Sequence, residues 1–170
     1  MKVRTLERSD IREGFECGEP SLDAFLQRYA WQDQTRYHLG VTYVAVDERT
    51  RRVVGYFTLA AASISSEGVS GAPPSGGYRE LPVLRVARLA VDRRVQGAGV
   101  GSELLRAALR IAVEESRRIG CAGVMVDARP ESVGFYERFG FRAMTVLVGA
   151  AAARPRPTPM FLAIARALHA

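Results

Sequence analysis

The sequence is poor in the features that mark secreted, metal-binding or membrane proteins. Among its 170 residues there are only two cysteines, Cys17 and Cys121, and two histidines. Two cysteines do not make a disulfide framework, and neither has a metal-ligand partner at a useful spacing, so we expect packed thiols and no metal site. No run approaches the about 20 apolar residues of a membrane span, and residues 1–10 lack the apolar core of a signal peptide. These absences predict a cytoplasmic protein with no membrane partner.

Lysine is almost absent as well. Lys2 is the only one, and arginine supplies the other cations, giving a formal net charge of +6. A basic chain attracts nucleic acid, acidic proteins or an anionic cofactor, and the charge by itself does not choose among them. The missing lysine does exclude one class of phosphate site, because the Walker loop requires Gly-Lys-Ser/Thr.

A glycine-rich segment is what the sequence does have. A strand-like run over Val83–Val91 leads into Gln96–Gly101, which reads QGAGVG, and a helix is predicted over Gly99–Arg118. The glycine spacing is G-x-G-x-G and therefore not the dinucleotide fingerprint G-x-G-x-x-G. Successive N–H groups at a helix N-terminus make an anion site. An ordinary strand-to-helix turn is the alternative.

A second motif follows one strand later. Gly123–Ala128 is predicted to be a buried strand, and Glu131–Phe141 reads ESVGFYERFGF, a short helix with Gly140 just past its end. The two motifs, Gln-x-x-Gly-x-Gly and then aromatic-Tyr-x-x-aromatic-Gly-Phe, resemble those of the GNAT acetyltransferase superfamily. The resemblance implies acetyl-CoA as cofactor and a single domain over residues 1–170. Its expected fold is α/β (α+β), a mixed central sheet with splayed parallel strands, flanked by helices.

The resemblance also implies which residues bind the cofactor. The Leu89 N–H would polarise the acetyl carbonyl, and Val91 would pair with the pantetheine amides. Plain core packing is the alternative for both side chains. The glycine-rich loop would hold the pyrophosphate. The remaining cofactor-binding candidates are Ala90, Gln96, Gly97, Ala98, Gly99, Val100, Gly101, Ser102 and Phe135.

Tyr136 is the catalytic candidate. Acyl transfer from a thioester needs an amine that attacks and a departing thiolate that is protonated, and a phenol with a pKa near about 10 can donate that proton. Packing beside Phe135 is the alternative role. The candidates for a general base are the acids near the strand ends, Asp92, Asp127 and Glu131. Each has a structural alternative: a turn residue for Asp92, a solvated acid at a strand end for Asp127, and a charge at a helix N-terminus for Glu131. No general base is assigned, because an amine that is already neutral needs none.

A narrower resemblance covers most of the chain as far as Phe141. Phe15–Leu26, FECGEPSLDAFL, is similar to the F-x-C-G-x-x-x-L-D-x-F-L opening of the GNAT toxins of bacterial toxin–antitoxin pairs. Two later segments are also similar to strands of these toxins. They are Val54–Leu59 (VGYFTL) and Arg88–Asp92 (RLAVD), the second preceded by Ala87 where the toxins usually have glycine. The implied function is acetylation of the α-amino group of aminoacyl-tRNA, which blocks translation. The alternatives are an acetyltransferase of a small-molecule or protein amine, and a non-catalytic binding protein.

The same resemblance implies macromolecular partners. A small antitoxin with a ribbon-helix-helix DNA-binding part would hold such a toxin, and a homodimer is left open. Arginines would contact the tRNA phosphates, although each is also explained as a solvated surface charge. The candidates are Arg28, Arg36, Arg85, Arg93, Arg94 and Arg142.

The rest of the chain gives a coarse secondary structure. The pattern predicts a hairpin joined by Asp47–Arg52, and a helix opened by Ser21 and Asp23 that runs through Leu22, Phe25, Leu26, Tyr29 and Ala30, with Pro20 just outside. Ser63–Pro82 is predicted to be a loop, either a substrate-facing segment or a disordered insertion. The other predicted elements are strands over Val3–Leu6, Val41–Val46, Val53–Ala61 and Arg142–Val148, a helix over Val133–Phe139, a connector over Gly149–Pro159 and a strand or short helix over Met160–Ala167.

Overall fold

The computed structural model describes residues 2–67, 69, 77–145 and 156–167. In this part of the chain seven strands form a mixed sheet of order β1-β2-β3-β4-β5-β7-β6. The strands are β1 (Lys2–Thr5), β2 (Val41–Val46), β3 (Val53–Ser65), β4 (Glu80–Val91), β5 (Gly123–Ala128), β6 (Arg142–Ala143) and β7 (Thr158–Ala163). The α-helices are α1 (Pro20–Ala24), α2 (Ala30–Thr35), α3 (Val100–Arg118), α4 (Val133–Glu137) and α5 (Ile164–Ala167).

The chain divides into two compact units. The first comprises Met1–Ala60 with Ala87–Ala108, and the second comprises Ala61–Val86 with Leu109–Ala170. Each unit has its own cluster of buried apolar residues. In the first unit the cluster includes Leu6, Phe15, Phe25, Leu26, Val44 and Tyr56. In the second it includes Ile64, Leu81, Val83, Phe161 and Ala163.

The strand predictions around the hairpin are confirmed. β2 and β3 pair antiparallel, from Val41↔Leu59 to Val46↔Val53, on either side of the polar turn. The alternating and β-branched residues of β2 explain this, since such side chains fit a pleated, half-buried surface. β1 and β5 also lie within a residue of their predicted bounds.

β4 and β5 are the parallel neighbours that the fold class requires. Their register runs from Val83↔Gly123 to Val86↔Val126. β4 continues for five residues past Val86, as far as Val91. Leu89, Ala90 and Val91 therefore lie beyond the last β4–β5 pair.

The helical segment after Pro20 differs from the expected single helix. α1 includes Pro20 as its first residue, so the proline is inside the helix, where its missing N–H costs nothing. A π-helix over Phe25–Tyr29 then separates α1 from α2, and the Ala30 N–H bonds to the Phe25 carbonyl five residues back. The wider turn rotates Tyr29 away from the face of Leu26. Tyr29 is 53% exposed, whereas Leu26 and Ala30 are fully buried.

The predicted loop over Ser63–Pro82 is wrong at both ends. Strand β3 runs on to Ser65 and β4 begins at Glu80. The Ser66 N–H donates to the Arg79 carbonyl, so backbone bonding continues past the strand ends. Residues 68 and 70–76 of this loop lie outside the described residues.

The C-terminal predictions need one further correction. The strand predicted over Arg142–Val148 is described only as the two-residue β6, and residues 146–155, with most of the Gly149–Pro159 connector, lie outside the described part. Met160–Ala167 contains both predicted alternatives, the end of β7 and then α5. None of the described helices is long and apolar enough to cross a membrane.

Gly123 at the start of β5 offers a test of the packing in the second unit. A Cβ at this position would collide with the Phe161 ring and with the Leu162 carbonyl of β7. We expect Gly123→Ala to lower the free energy of unfolding by about 3 kcal/mol, the upper end of the usual overpacking cost, because one colliding atom is backbone. Urea unfolding of the variant and the wild type measures the change.

Gly134→Ala is the matched control. Gly134 lies inside α4, and a Cβ there meets nothing within 4 Å. Alanine in a helix interior is favoured over glycine, so this variant should unfold at the same or a higher urea concentration. Equal destabilisation by the two variants would contradict the close approach of β5 and β7.

Candidate active site

The glycine-rich loop has the geometry of an anion site. Gly97 and Gly99 have φ angles of +81° and +84°, which L side chains rarely adopt, and a Cβ at either position would extend into open space. The first bond within α3 is donated by Glu103 to the Gly99 carbonyl at 3.1 Å. The N–H groups of Val100, Gly101 and Ser102 precede that bond and have no acceptor inside the helix. The loop thus has both the free N–H groups and the space that a diphosphate requires.

Gln96 holds this loop in place with its side chain. Its Nε2 donates to the carbonyls of Val91 and Cys17, both at 2.9 Å. The backbone N–H of Gln96 is directed back to the Arg93 carbonyl at 3.4 Å. The Gln96 side chain therefore links the end of β4 to residue 17 as a brace, and the Ala98 N–H is likewise bonded within the loop, to the Val95 carbonyl at 3.3 Å.

Asp92 is a second brace, which the sequence showed only as a turn residue or a candidate base. Its carboxylate is 1% exposed and accepts from the Arg94 side chain through Nε and Nη2, each at 2.7 Å. It also accepts from the backbone N–H groups of Arg94 at 3.0 Å and Glu16 at 3.3 Å. The hydrogen bond from Arg94 holds the pKa of Asp92 below its usual value. A carboxylate so engaged is a poor general base, and it ties residue 16 to the loop.

The other two acids differ in their surroundings. Asp127, at the end of β5, forms an ion pair with Arg85 of β4. Glu131 is exposed and lies in the short 3-10 helix over Pro130–Ser132. Asp127 is half-buried, so neither carboxylate is buried as Asp92 is.

Tyr136 lies in α4 and is 8% exposed. Its ring packs edge-on against Phe135 and Phe141, with centroids 5.1 and 5.5 Å apart. Gly140, with φ +86°, ends the turn, and the Phe141 N–H returns to the Tyr136 carbonyl at 3.3 Å, as the C′ prediction requires. Burial raises the pKa of Tyr136 to about 12, and no described residue forms a hydrogen bond with its hydroxyl. Tyr136 is therefore a fully protonated phenol at neutral pH.

The remaining predicted cofactor residues are on β4, α3 and α4. Leu89 and Val91 are half-buried, and Ala90 between them is buried against the first unit's core. Phe135 is half-buried and also touches Phe139, with ring centroids 5.4 Å apart. Both cysteines are free thiols and half-buried, as predicted, and burial raises the pKa of each. No cluster of metal ligands occurs among the residues that the structure describes.

The six candidate arginines fall into two groups. Arg85 pairs with Asp127, Arg93 with Glu16 at 2.7 Å, and Arg94 with Asp92. The other three are exposed, and no carboxylate of a described residue lies within 4 Å of their guanidinium groups. These unpaired arginines are Arg28, Arg36 and Arg142.

Residues 6–141 match the family model described as the acetyltransferase (GNAT) family. The chain belongs to the GNAT acetyltransferases. The predicted family, enzyme class and fold are thereby confirmed, and acetyl-CoA is the acetyl donor of this GNAT enzyme. The loop and α3 N-terminus described above fit the diphosphate of that donor, because a side chain at Gly97 or Gly99 would occupy the space above the free N–H groups.

Three proteins are similar to this GNAT enzyme in sequence or in fold. It is 35% identical over 139 residues to a tRNA-acetylating toxin of Mycobacterium tuberculosis (strain ATCC 25618 / H37Rv), covering 81% of this chain and 82% of that protein. It is 30% identical over 149 residues to a glucosamine 6-phosphate N-acetyltransferase of Trypanosoma brucei brucei, covering 84% of this chain and 90% of that protein. AtaT complexed with acetyl-methionyl-tRNAfMet superposes with a TM-score of 0.80 and 24% identity, covering 95% of this chain and 94% of AtaT. A tyrosine-to-phenylalanine mutant of AtaT has been solved with acetyl-CoA and the C-terminus of the antitoxin AtaR.

Proposed function

We propose that this GNAT enzyme transfers the acetyl group of acetyl-CoA to the α-amino group of aminoacyl-tRNA, and so blocks translation. The 35% identity to a tRNA-acetylating toxin over 81% of the chain carries the proposal. The unpaired arginines Arg28, Arg36 and Arg142 add support, because phosphate contacts need cations that are not already neutralised. A net charge of +6 agrees with an RNA substrate.

The loop and the end of β4 bind the acetyl donor in this proposal. The donor supplies an acetyl thioester. The N–H groups of Val100, Gly101 and Ser102, which have no acceptor inside α3, hold its diphosphate, assisted by the positive end of that helix. The Leu89 N–H polarises the acetyl carbonyl, and the Val91 backbone pairs with the pantetheine amides. Gln96 and Asp92 keep the loop in the conformation that these contacts need.

Tyr136 supplies the proton for the leaving thiolate. The amine lone pair forms the C–N bond as the C–S bond breaks, the phenol protonates the sulfur, and the amine proton returns to the phenolate. A thiol in water has a pKa of about 8.5, below that of Tyr136, so proton transfer from the phenol to such a thiolate would be unfavourable. Exclusion of water raises the pKa of the thiol as well, and this narrows the gap between the two groups.

The substrate amine explains why none of the acids Asp92, Asp127 and Glu131 has to act as a general base. An α-amino group has a pKa near about 7.7–8.0, so an appreciable fraction is neutral at physiological pH. Lysine, with a pKa near about 10.4, would need a base to lose its proton. The engagement of Asp92 with Arg94 and Glu16 agrees with an amine that is already nucleophilic.

The partners follow from this function. We propose that an antitoxin with a ribbon-helix-helix part holds the enzyme inactive, that the enzyme is a homodimer, and that it acts in the cytoplasm, where charged tRNA is used.

The family match over residues 6–141 draws on both compact units and supports one acetyltransferase domain. A small-amine acetyltransferase is the second candidate, because the glucosamine 6-phosphate relative is 30% identical over 149 residues.

A direct assay separates the two candidates. Purified enzyme with labelled acetyl-CoA and a total pool of aminoacylated tRNA should transfer label to the aminoacyl group. Uncharged tRNA should receive none, because it has no α-amino group. Glucosamine 6-phosphate and free amino acids are tested in parallel.

Label on charged tRNA alone supports the toxin chemistry, and the labelled species identifies the amino acid. Release of coenzyme A thiol with the small amines, with no label on charged tRNA, would overturn the proposal and favour the second candidate. The labelled product is treated with base to confirm that acetyl-amino acid is released from the ester.

A further inference from the structure

Two exposed tyrosines, each preceded by an exposed arginine, lie on the helical segment that the reaction chemistry does not use. Tyr29 is 53% exposed at the end of the π-helix, and Tyr37, just after α2, is 49% exposed. Arg28 and Arg36 precede these two tyrosines in sequence and are exposed. We call the four residues the Tyr29–Tyr37 surface. All of them belong to the first compact unit.

The Tyr37 ring is held before any ligand arrives. Gln32 Nε2 donates to the Tyr37 hydroxyl at 2.9 Å, and the Arg36 guanidinium lies 5.4 Å from the ring centroid. A ring fixed in this way loses little side-chain entropy on binding, which favours its use as a contact surface. The Tyr37 hydroxyl accepts this hydrogen bond from Gln32, and about half of the surface of Tyr37 stays exposed.

The exposure of Tyr29 has a structural cause. Tyr29 follows Phe25 by four residues and Leu26 by three, a spacing that puts side chains on one face of a regular α-helix. The π-helix breaks that relationship, and such insertions are frequent at functional sites. At the other end of this π-helix, Arg88 stacks on the Phe25 ring, 3.6 Å from its centroid. Arg88 immediately precedes Leu89, so the segment is joined to the part of β4 assigned to the acetyl group.

We propose that the Tyr29–Tyr37 surface binds the unpaired nucleotides at the 3′ end of the charged tRNA, with bases stacked on the two tyrosine rings and phosphates on the two arginines. The inference rests on the proposed function, since it names how that substrate is held. Aromatic rings alternating with cations suit single-stranded nucleic acid, because each base offers a π-face and each linkage a negative charge. Arg28 and Arg36 have no carboxylate of a described residue within 4 Å, and the Arg36 guanidinium lies 5.4 Å from the Tyr37 ring centroid, which favours RNA over an apolar protein segment.

Four variants test the surface. The double variants are Tyr29→Ala/Tyr37→Ala and Arg28→Gln/Arg36→Gln. Tyr29→Phe/Tyr37→Phe keeps both rings, and Tyr78→Ala removes a 74% exposed tyrosine of the second unit as a control. The steady-state KM for charged tRNA, the KM for acetyl-CoA and kcat are measured for each, with salt series for the arginine pair.

The alanine pair should raise the KM for charged tRNA about 10-fold or more, since stacking of one base is worth about that factor. The KM for acetyl-CoA should stay unchanged. The phenylalanine pair should restore most of the tRNA affinity, and Tyr78→Ala should behave as wild type. The arginine pair should reduce the salt slope of tRNA binding by about 1.5, for two lost phosphate contacts.

A binding measurement keeps the test independent of turnover. Trp31 is the only tryptophan of the chain, lies in α2, and packs against the first unit's core. A short single-stranded oligoribonucleotide ending in CCA should change Trp31 fluorescence in the wild type and in the phenylalanine pair, and much less in the alanine pair. Equal binding by all variants, or an unchanged KM for charged tRNA in the alanine pair, would overturn the inference.

The two proposals fail in different ways. If wild-type enzyme does not acetylate charged tRNA, the proposed function is wrong, and the oligonucleotide titration still decides whether the surface binds RNA. If the alanine pair loses binding of an antitoxin peptide and keeps both its KM for charged tRNA and its oligonucleotide binding, the surface is a protein interface and the inference is wrong.

Discussion

Tyr136→Phe should lower kcat for acetyl transfer by about 100- to 1000-fold, the usual contribution of one general acid. Only the hydroxyl is removed. The ring contacts with Phe135 and Phe141 stay in place, so the KM for acetyl-CoA and the free energy of unfolding should change little. Steady-state kinetics and urea unfolding on the same preparation separate the two effects.

The pH profile is a second measure of the same role. Because the pKa of Tyr136 is raised to about 12, the phenol stays protonated throughout the neutral and mildly alkaline range. Wild-type kcat should therefore show no alkaline decline from this group well below pH 12. Tyr78→Phe, at a 74% exposed position, is the control for losing a tyrosine hydroxyl. A kcat within a few-fold of wild type in Tyr136→Phe would show that the side chain only packs.

Replacing both loop glycines is the other change with a large expected effect. Gly97→Ala/Gly99→Ala should raise the Kd for coenzyme A about 10- to 100-fold. Each new Cβ enters the space above the loop, and hydrogen bonds to a charged group are worth about 1.5–3 kcal/mol each. Isothermal titration with coenzyme A measures the loss directly, and kcat at saturating acetyl-CoA should fall much less.

Gly120→Ala controls for the backbone strain of these variants. Gly120 has φ +86°, and a Cβ there also meets nothing within 4 Å, but it follows the C-terminus of α3. The strain of a positive φ is about 1–2 kcal/mol at any such position. Gly120→Ala should lower stability by a comparable amount per site and leave coenzyme A affinity at the wild-type value. If it weakens coenzyme A binding equally, the loop glycines act through stability alone.

Several parts of the fold and of the site were predictable because they depend on local patterns. The Gln96–Gly101 glycine pattern depends on positive φ and on open space, both properties of glycine itself, and the structure has both at Gly97 and Gly99. Strands β2 and β5 follow from runs of β-branched residues, and α3 from its apolar spacing. The family, the fold class and the cofactor were implied by the resemblance that these motifs carry, and the family match over residues 6–141 confirmed them.

Other parts depend on residues far apart in the chain. Asp92 could be a turn residue or a base from its sequence alone, and only the approach of the Glu16 N–H, 76 residues away, makes it a buried brace. Gln96 likewise contacts Cys17, and Arg88 stacks on Phe25. The ion pairs Arg85–Asp127 and Arg93–Glu16 are equally non-local, because each acid lies on another element, whereas Arg94 pairs with Asp92 only two residues away.

The sequence by itself therefore determined the family, and it predicted the glycine-rich turn and the helical position of Tyr136, because short motifs carry all three. The tertiary structure decided which polar groups are neutralised, which are braces and which face solvent, since ion pairing and burial depend on neighbours distant in sequence. Tyr29 shows the difference most clearly. Its spacing predicts the buried face of a helix, whereas in the structure it ends a π-helix and is 53% exposed.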